Sequence, residues 1–347
     1  MSTLAAYASG FSQWLGRTDK VVLAIFTLAI GVAALLPPRV AVESYRFTTL
    51  SMINIAPFLA ASAVAAAWLA ASGADRVIGR VFSGHWLVVI VSASVFGALS
   101  PFCSCGVIPI IAALLAAGVP LPAVMAFWLS SPIMDPEMFL LTLGGLNLEF
   151  AIAKTLAAFA IGLFGGFATH LVLKTGGFAD PLKEQISSCG SCQPVIGDEK
   201  PLWIFWKEPA RKQKFTEIFK WTMLFLGKWL LLAFAIESLM VTYLPGDVIA
   251  GWLGPDSTFA MPLAVVIGIP AYMNGYAAIP LISGLLQSGM AEGPALAFMT
   301  AGAVTSIPAA VAVFALVKRP VFLWYLALAA VGSMITGTAF QFYLSLA

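Results

Sequence analysis

The chain has 347 residues, 61% of them hydrophobic and 10% charged, with a formal net charge of +2 and a mean hydropathy of +0.96. A soluble domain carries roughly 25% charged residues and must cover its core with polar side chains, so this composition excludes one. So small a net charge gives no reason to expect a nucleic-acid partner, and the ten-residue alternation of an outer-membrane barrel is missing.

Taken in chain order, the apolar runs fall at 21–36, 56–71, 150–173, 223–244 and 321–344. Each is near the roughly 20 residues that cross about 30 Å of hydrocarbon as a helix. The first follows Arg17 and Lys20, as a secretory leader would. It runs into Pro37-Pro38-Arg39 without a small-x-small cleavage site, so it is expected to be a retained helix, with residues 1–42 forming a cytoplasmic segment and that first span. Residues 43–174 then form a membrane unit, 175–214 a polar loop, and 215–347 a second membrane unit. The predicted fold is an all-α polytopic membrane protein, in contact with lipid and acting on a small molecule. Its cell compartment is expected to be the inner membrane.

The two membrane units resemble each other. Pro109–Gly118 aligns with Pro280–Gly289 at an offset of 171 (280 − 109 = 171), and Ala126-Phe127 falls on Ala297-Phe298 at the same offset. Cys105-Gly106 meets Asn274-Gly275 when the second copy carries two extra residues, and the apolar runs near 46–72 and 150–172 fall on 217–243 and 321–343. Internal repeats with a site at their interface are a recurrent plan of secondary transporters. Lys and Arg favour the cytoplasmic side and cluster at Arg17/Lys20, Arg76/Arg80, Lys207 to Lys214, and Lys318/Arg319, while a loop with Asp247 and Asp256 has neither. All four basic clusters share one side if 86–118 and 257–289 are re-entrant hairpins rather than full crossings, and the repeats are then inverted. Arg39 and Arg46 remain outside in that arrangement.

The hairpin turns would be Cys103–Gly106 and Met273–Gly275. Backbone released at such turns must be satisfied by protein or by a water-filled cavity, so the turns are expected to line a site near the midplane. In extended backbone the side chains of Cys103 and Cys105 point the same way, and two sulfurs can converge on one soft centre such as trivalent arsenic. Packing as small core residues is the competing reading. The facing wall would offer Tyr272, Met273, Asn274 and Gly275, with Ser104 and Gly106 beside the thiols.

A second interruption, Ser130-Ser131-Pro132-Ile133-Met134-Asp135-Pro136-Glu137, has hydroxyls for substrate or backbone, and Thr305-Ser306-Ile307-Pro308 stands in a similar place in the second copy. Asp135 and Glu137, and more weakly Glu237, are candidates to carry a coupling proton; Asp135 reads equally well as a helix cap. Lys228 lies in the same run as Glu237, and His85 and His170 are expected to pack near helix ends. Cys189 and Cys192 in the polar loop form a CxxC, which can ligate metal or cycle as a dithiol, but one pair cannot close a four-ligand zinc site. No cofactor is expected. There is no phosphate loop, HExxH or Ser-His-Asp order, so no enzyme is expected.

Ser100-Pro-Phe-Cys-Ser-Cys-Gly-Val-Ile-Pro109, the run on to Ser131-Pro132 and the weaker echo after Pro270 resemble the predicted-permease family that includes ArsP. The resemblance covers most of the chain. It implies an inner-membrane permease, and ArsP members export trivalent organoarsenicals such as methylarsenite; Cys103 and Cys105 are the positions onto which metalloid binding carries over. The second copy lacks a cysteine pair, which argues against a symmetric thiol site. The expected function is therefore efflux of trivalent organoarsenicals or related thiophilic compounds. The alternatives are transport of another small sulfur-containing solute or anion, and a membrane thiol relay between the two cysteine pairs.

Overall fold

The structure is a computed structural model that describes residues 20–72, 84–100, 107–116, 118–178, 181–182, 206, 208–243, 259–271 and 275–346. These residues form thirteen helices, with one isolated bridge between Leu182 and Val317. In chain order they are α1 (Lys20–Leu35), α2 (Pro38–Ser72), α3 (Trp86–Ala98), α4 (Ile108–Ala116), α5 (Leu121–Ser130), α6 (Pro136–Gly145) and α7 (Leu148–Lys174). After the polar loop come α8 (Pro209–Tyr243), α9 (Ala260–Ala271), α10 (Gly275–Gln287), α11 (Glu292–Thr305), α12 (Ile307–Leu316) and α13 (Arg319–Leu346).

Three stretches, Leu148–Lys174, Pro209–Leu239 and Arg319–Leu346, are long and apolar enough to cross a bilayer unaided. Two more spans arise if bent pairs count as one: α2, bent by 40° where Pro57 interrupts it, and α11 with α12, bent by 41°. Proline lacks the N–H that the helix needs and its ring crowds the preceding turn, which accounts for the first bend. The apolar run at 56–71 therefore marks only the second half of α2, which begins at Pro38. Large apolar side chains such as Phe96, Leu140, Leu156, Leu224 and Leu323 point outward, as they do where the solvent is lipid. By contrast α3, α4, α9 and α10, with 13, 9, 12 and 13 residues, are too short to cross alone.

Helices set 171 residues apart share bounds and contacts. The limits of α2 and α6 fall on those of α8 and α12, and the starts of α5 and α7 fall on those of α11 and α13. In the first half α3 packs on α5 and α5 on α7; in the second α9 packs on α11 and α11 on α13. Small residues set these approaches. A Cβ at Gly97 would lie 2.7 Å from the Phe127 carbonyl oxygen, and one at Gly268 would lie 2.7 Å from that of Phe298. Two helix ends also match. Gly118, at φ 80°, and Gly289, at φ 96°, occupy the left-handed region open to glycine. Both close α4 and α10 with the same pair of bonds: Gly118 N–H to Leu115 O and Val119 N–H to Leu114 O, then Gly289 N–H to Leu286 O and Met290 N–H to Leu285 O.

Two pairs of these counterpart helices meet each other antiparallel. On α2 and α8, Ser44 near one start hydrogen-bonds Ser238 near the other end at 2.5 Å. Arg211, near the start of α8, donates to the Ala71 and Ser72 carbonyls that close α2, at 3.2 and 3.0 Å. On α7 and α13, Phe150 packs edge-on against Phe340, and Trp324 Nε1–H donates to Thr169 Oγ1 at 3.0 Å. Between those contacts α7 and α13 cross at Ile161, where a Cβ added to Gly332 would stand 3.2 Å from the isoleucine branch.

Gly268→Val is expected to lower the stability of the detergent-solubilised protein by about 1–3 kcal/mol, because the new atoms meet backbone rather than a movable side chain. Gly227→Ala, where nothing lies within 4 Å, should leave the thermal midpoint unchanged.

Candidate functional site

The site is built where α3 and α5 end. Leu99 and Ser100 turn their N–H groups back to the Val95 and Gly97 carbonyls, at 3.1 and 3.0 Å, so α3 stops with its last amides satisfied. Ser130, the last residue of α5, donates its hydroxyl to the Ala126 and Phe127 carbonyls at 2.9 and 3.2 Å. Ser131 then lies 3.3 Å, hydroxyl to hydroxyl, from Ser100. Both serines are buried, as is Ser94 one and a half turns earlier on α3, whose hydroxyl has no hydrogen-bond partner among the described residues. Two interruptions that lie 31 residues apart in sequence thus meet in the interior.

Beyond Ser131 the chain makes one turn through Pro132 and Ile133 and reaches Asp135, whose backbone is extended. Its Oδ1 accepts the Met138 N–H at 2.8 Å, and Pro136 occupies the first helical position, where a missing N–H costs nothing. Asp135 therefore caps α6. Glu137 follows in the first turn and is exposed.

Cys103, Ser104, Cys105 and Gly106 lie outside the described residues, as do Tyr272, Met273, Asn274, Cys189 and Cys192. What is described is the frame of the first motif. Ser100 before it and Val107 and Ile108 after it are buried. Gly275 opens α10. Among the described residues no three His, Cys, Asp or Glu side chains converge as metal ligands.

Glu237 is 3% exposed, beside the Ser44–Ser238 contact between α2 and α8, and its Oε2 has no hydrogen-bond partner among the described residues. Lys228 places its ammonium 5.6 Å from the Phe225 ring. The histidines pack near helix ends: Trp86 stacks on His170 at 4.3 Å and lies next to His85, with the Lys174 ammonium 5.7 Å from its ring. An aromatic cluster with a basic tip is typical of a membrane–water boundary.

Sequence reasoning passed over Lys154. It is the lone cation of the 150–173 run, fully buried on α7, and its Nζ has no hydrogen-bond partner among the described residues. Asp135 is the charge that acts on it. A single lysine inside an otherwise apolar span was the available signal. In the second half, Tyr325 stands at the corresponding position. It is equally buried, stacks on Trp128 at 4.8 Å and donates its hydroxyl to the Val304 carbonyl, just before the α11–α12 bend.

Asp135→Ala is expected to cost about 1 kcal/mol through loss of the α6 cap, while Asp135→Asn, which still accepts from Met138, should stay close to the parent in thermal stability. Transport that falls equally in both variants would assign a task to the charge; loss confined to the alanine variant would leave only the cap.

The predicted-permease family that includes ArsP matches residues 41–342. Among curated proteins, the chain is 32% identical over 108 residues to UPF0718 protein MJ0584 of Methanocaldococcus jannaschii, which is 31% of this chain and 30% of that one. It is also 32% identical over 85 residues to UPF0718 protein YcgR of Bacillus subtilis, 24% of this chain and 29% of that one. Each match thus spans less than a third of the relative. No solved structure matches the chain. The family match takes in nearly all of α2, α3 to α12 and nearly all of α13, so the chain belongs to the predicted-permease family that includes ArsP and is a multi-pass membrane protein.

Proposed function

We propose that the protein is an inner-membrane permease that exports trivalent organoarsenicals or related thiophilic compounds. Two inverted membrane repeats, 43–174 and 215–347, follow the 1–42 segment and are joined by a cytoplasmic loop at 175–214. The contact of Ser100 with Ser131 carries this reading. It brings Ser100, three residues before Cys103, against a second helix interruption inside the protein, which is where non-helical backbone is tolerated at membrane depth.

The antiparallel meeting of α2 with α8 and of α7 with α13 supports inversion. Counterpart helices that cross a bilayer in opposite directions are related by an axis lying in the membrane plane. Cys103 and Cys105 hold the soft centre, with Ser104, Gly106, Ser130 and Ser131 on the same wall and Tyr272, Met273, Asn274 and Gly275 opposite. Substrate enters from the cytoplasm and leaves as the repeats rock, against a proton carried by Asp135, Glu137 or Glu237.

In everted membrane vesicles the parent should accumulate methylarsenite, and Cys103→Ser and Cys105→Ser should each drop to the level of vesicles without the protein. Full transport by both would end the thiol mechanism. In a background without other cysteines, single cysteines next to Arg80 and at Gly118 should label from the same, cytoplasmic face. Labelling from opposite faces would make 86–118 a spanning broken helix and remove the inversion.

A further inference from the structure

Lys154 lies two turns before Ile161, the crossing point of α7 and α13. At 1.5 Å per residue that is roughly 10 Å along the helix, while half the hydrocarbon thickness is about 15 Å. With the crossing at mid-bilayer, its charge stands at membrane depth, fully screened from solvent, and its ammonium is without a hydrogen-bond partner among the described residues. A buried cation is costly unless paired and hydrogen-bonded. Asp135 acts on it across the α5–α6 break, but one oxygen of that carboxylate already takes the Met138 N–H.

The second half shows what this position reaches. Tyr325, 171 residues on, hydrogen-bonds the Val304 carbonyl, and Val304 corresponds to Ile133 in the middle of the α5–α6 break. In the second half a neutral hydroxyl closes the position on a carbonyl. In the first half a cation stands there with no hydrogen-bond partner among the described residues, and the break that corresponds to Val304 runs on from Ser131, whose hydroxyl pairs with that of Ser100.

We propose that Lys154 is an anion-recognition residue: its ammonium, with the Ser100 and Ser131 hydroxyls at the α5–α6 break, receives a carboxylate or similar monoanionic group of the transported molecule. This deepens the export reading and rests on it for the identity of the cargo. The substrate class is then a thiophilic compound that also carries a negative charge. A charge-assisted hydrogen bond in a water-poor interior gives such a cargo its advantage over a neutral analogue.

The test uses the full-length protein in proteoliposomes with two probes, neutral phenylarsine oxide and anionic 4-carboxyphenylarsine oxide. The purified protein is also heated with benzoate or with neutral benzamide, each at about 10 mM. The parent should move the carboxylated arsenical more efficiently, and benzoate alone should raise its thermal midpoint, since a ligand that binds only the folded state stabilises it. Lys154→Gln should lose roughly ten-fold or more in transport of the carboxylated probe, keep phenylarsine oxide transport within about two-fold, and lose the benzoate shift; Lys154→Arg should restore both. Equal loss on both probes, or no loss on either, overturns the inference, as does a parent midpoint that benzoate leaves unmoved. Transport of neither arsenical by a parent that still shows the Lys154-dependent benzoate shift instead refutes the organoarsenical cargo and leaves the anion site standing.

Discussion

A peptide group released from a helix inside hydrocarbon must find a partner in the protein, and the arrangement of this chain follows from that constraint. The described interruptions, at the end of α3, between α5 and α6, and between α11 and α12, are lined by buried residues. Their amides turn back onto their own last turns, as at Ser100 and Ser131, or are capped by side chains, as by Asp135. Tyr325 serves the carbonyl at the third interruption from the neighbouring long helix. The longest helices, α2, α7, α8 and α13, are themselves unbroken or only bent, and they pack on one another across the molecule. At the described interruptions the released backbone groups are thus satisfied within the protein.

Close approach is what small residues contribute to this scheme. Without a hydrophobic drive between helices in lipid, association depends on contact and on interhelical hydrogen bonds. Gly97 and Gly268 let α3 and α9 come down onto the backbone of α5 and α11, and Gly332 lets α13 lie against Ile161 of α7. The hydroxyl pair of Ser44 and Ser238 and the guanidinium of Arg211 then fasten the two ends of the α2–α8 contact. Arg211 serves as the cap of a helix 140 residues earlier in the chain, which ties the start of the second membrane unit to the end of α2 in the first.

Much of the fold was legible because hydropathy and helix length are coupled at membrane depth. Gly118 and Gly289, aligned in the two copies, stand at the ends of two short helices and both take up the left-handed turn, while Pro109 is near the start of α4 and Pro280 lies inside α10. Less was legible where helix propensity and apolarity part company. The first half of α2 contains Arg39, Glu43 and Arg46, and a hydropathy reading begins the span too late. Asp135 was ambiguous because capping and proton carriage require the same carboxylate; its bond to the Met138 amide shows the capping role. Lys154 was missed for a simpler reason. One cation hardly moves the mean of a 27-residue span, so a criterion built on averages hides the residue that costs most to bury.

The pairing of Lys154 with Tyr325 has a consequence for energetics. Were two inverted halves identical, a carrier that exchanges their conformations would have inward-open and outward-open states of equal energy, and nothing in the protein would choose between them. A buried ammonium in one half and a satisfied phenol in the other remove that degeneracy. Under the proposed inversion and anion site, the empty carrier would rest on one side of the membrane, by a margin set by the cost of burying Lys154 beside a carboxylate already shared with a backbone amide, and its cargo would shift the balance. In that arrangement loading and reorientation would be coupled through a single side chain.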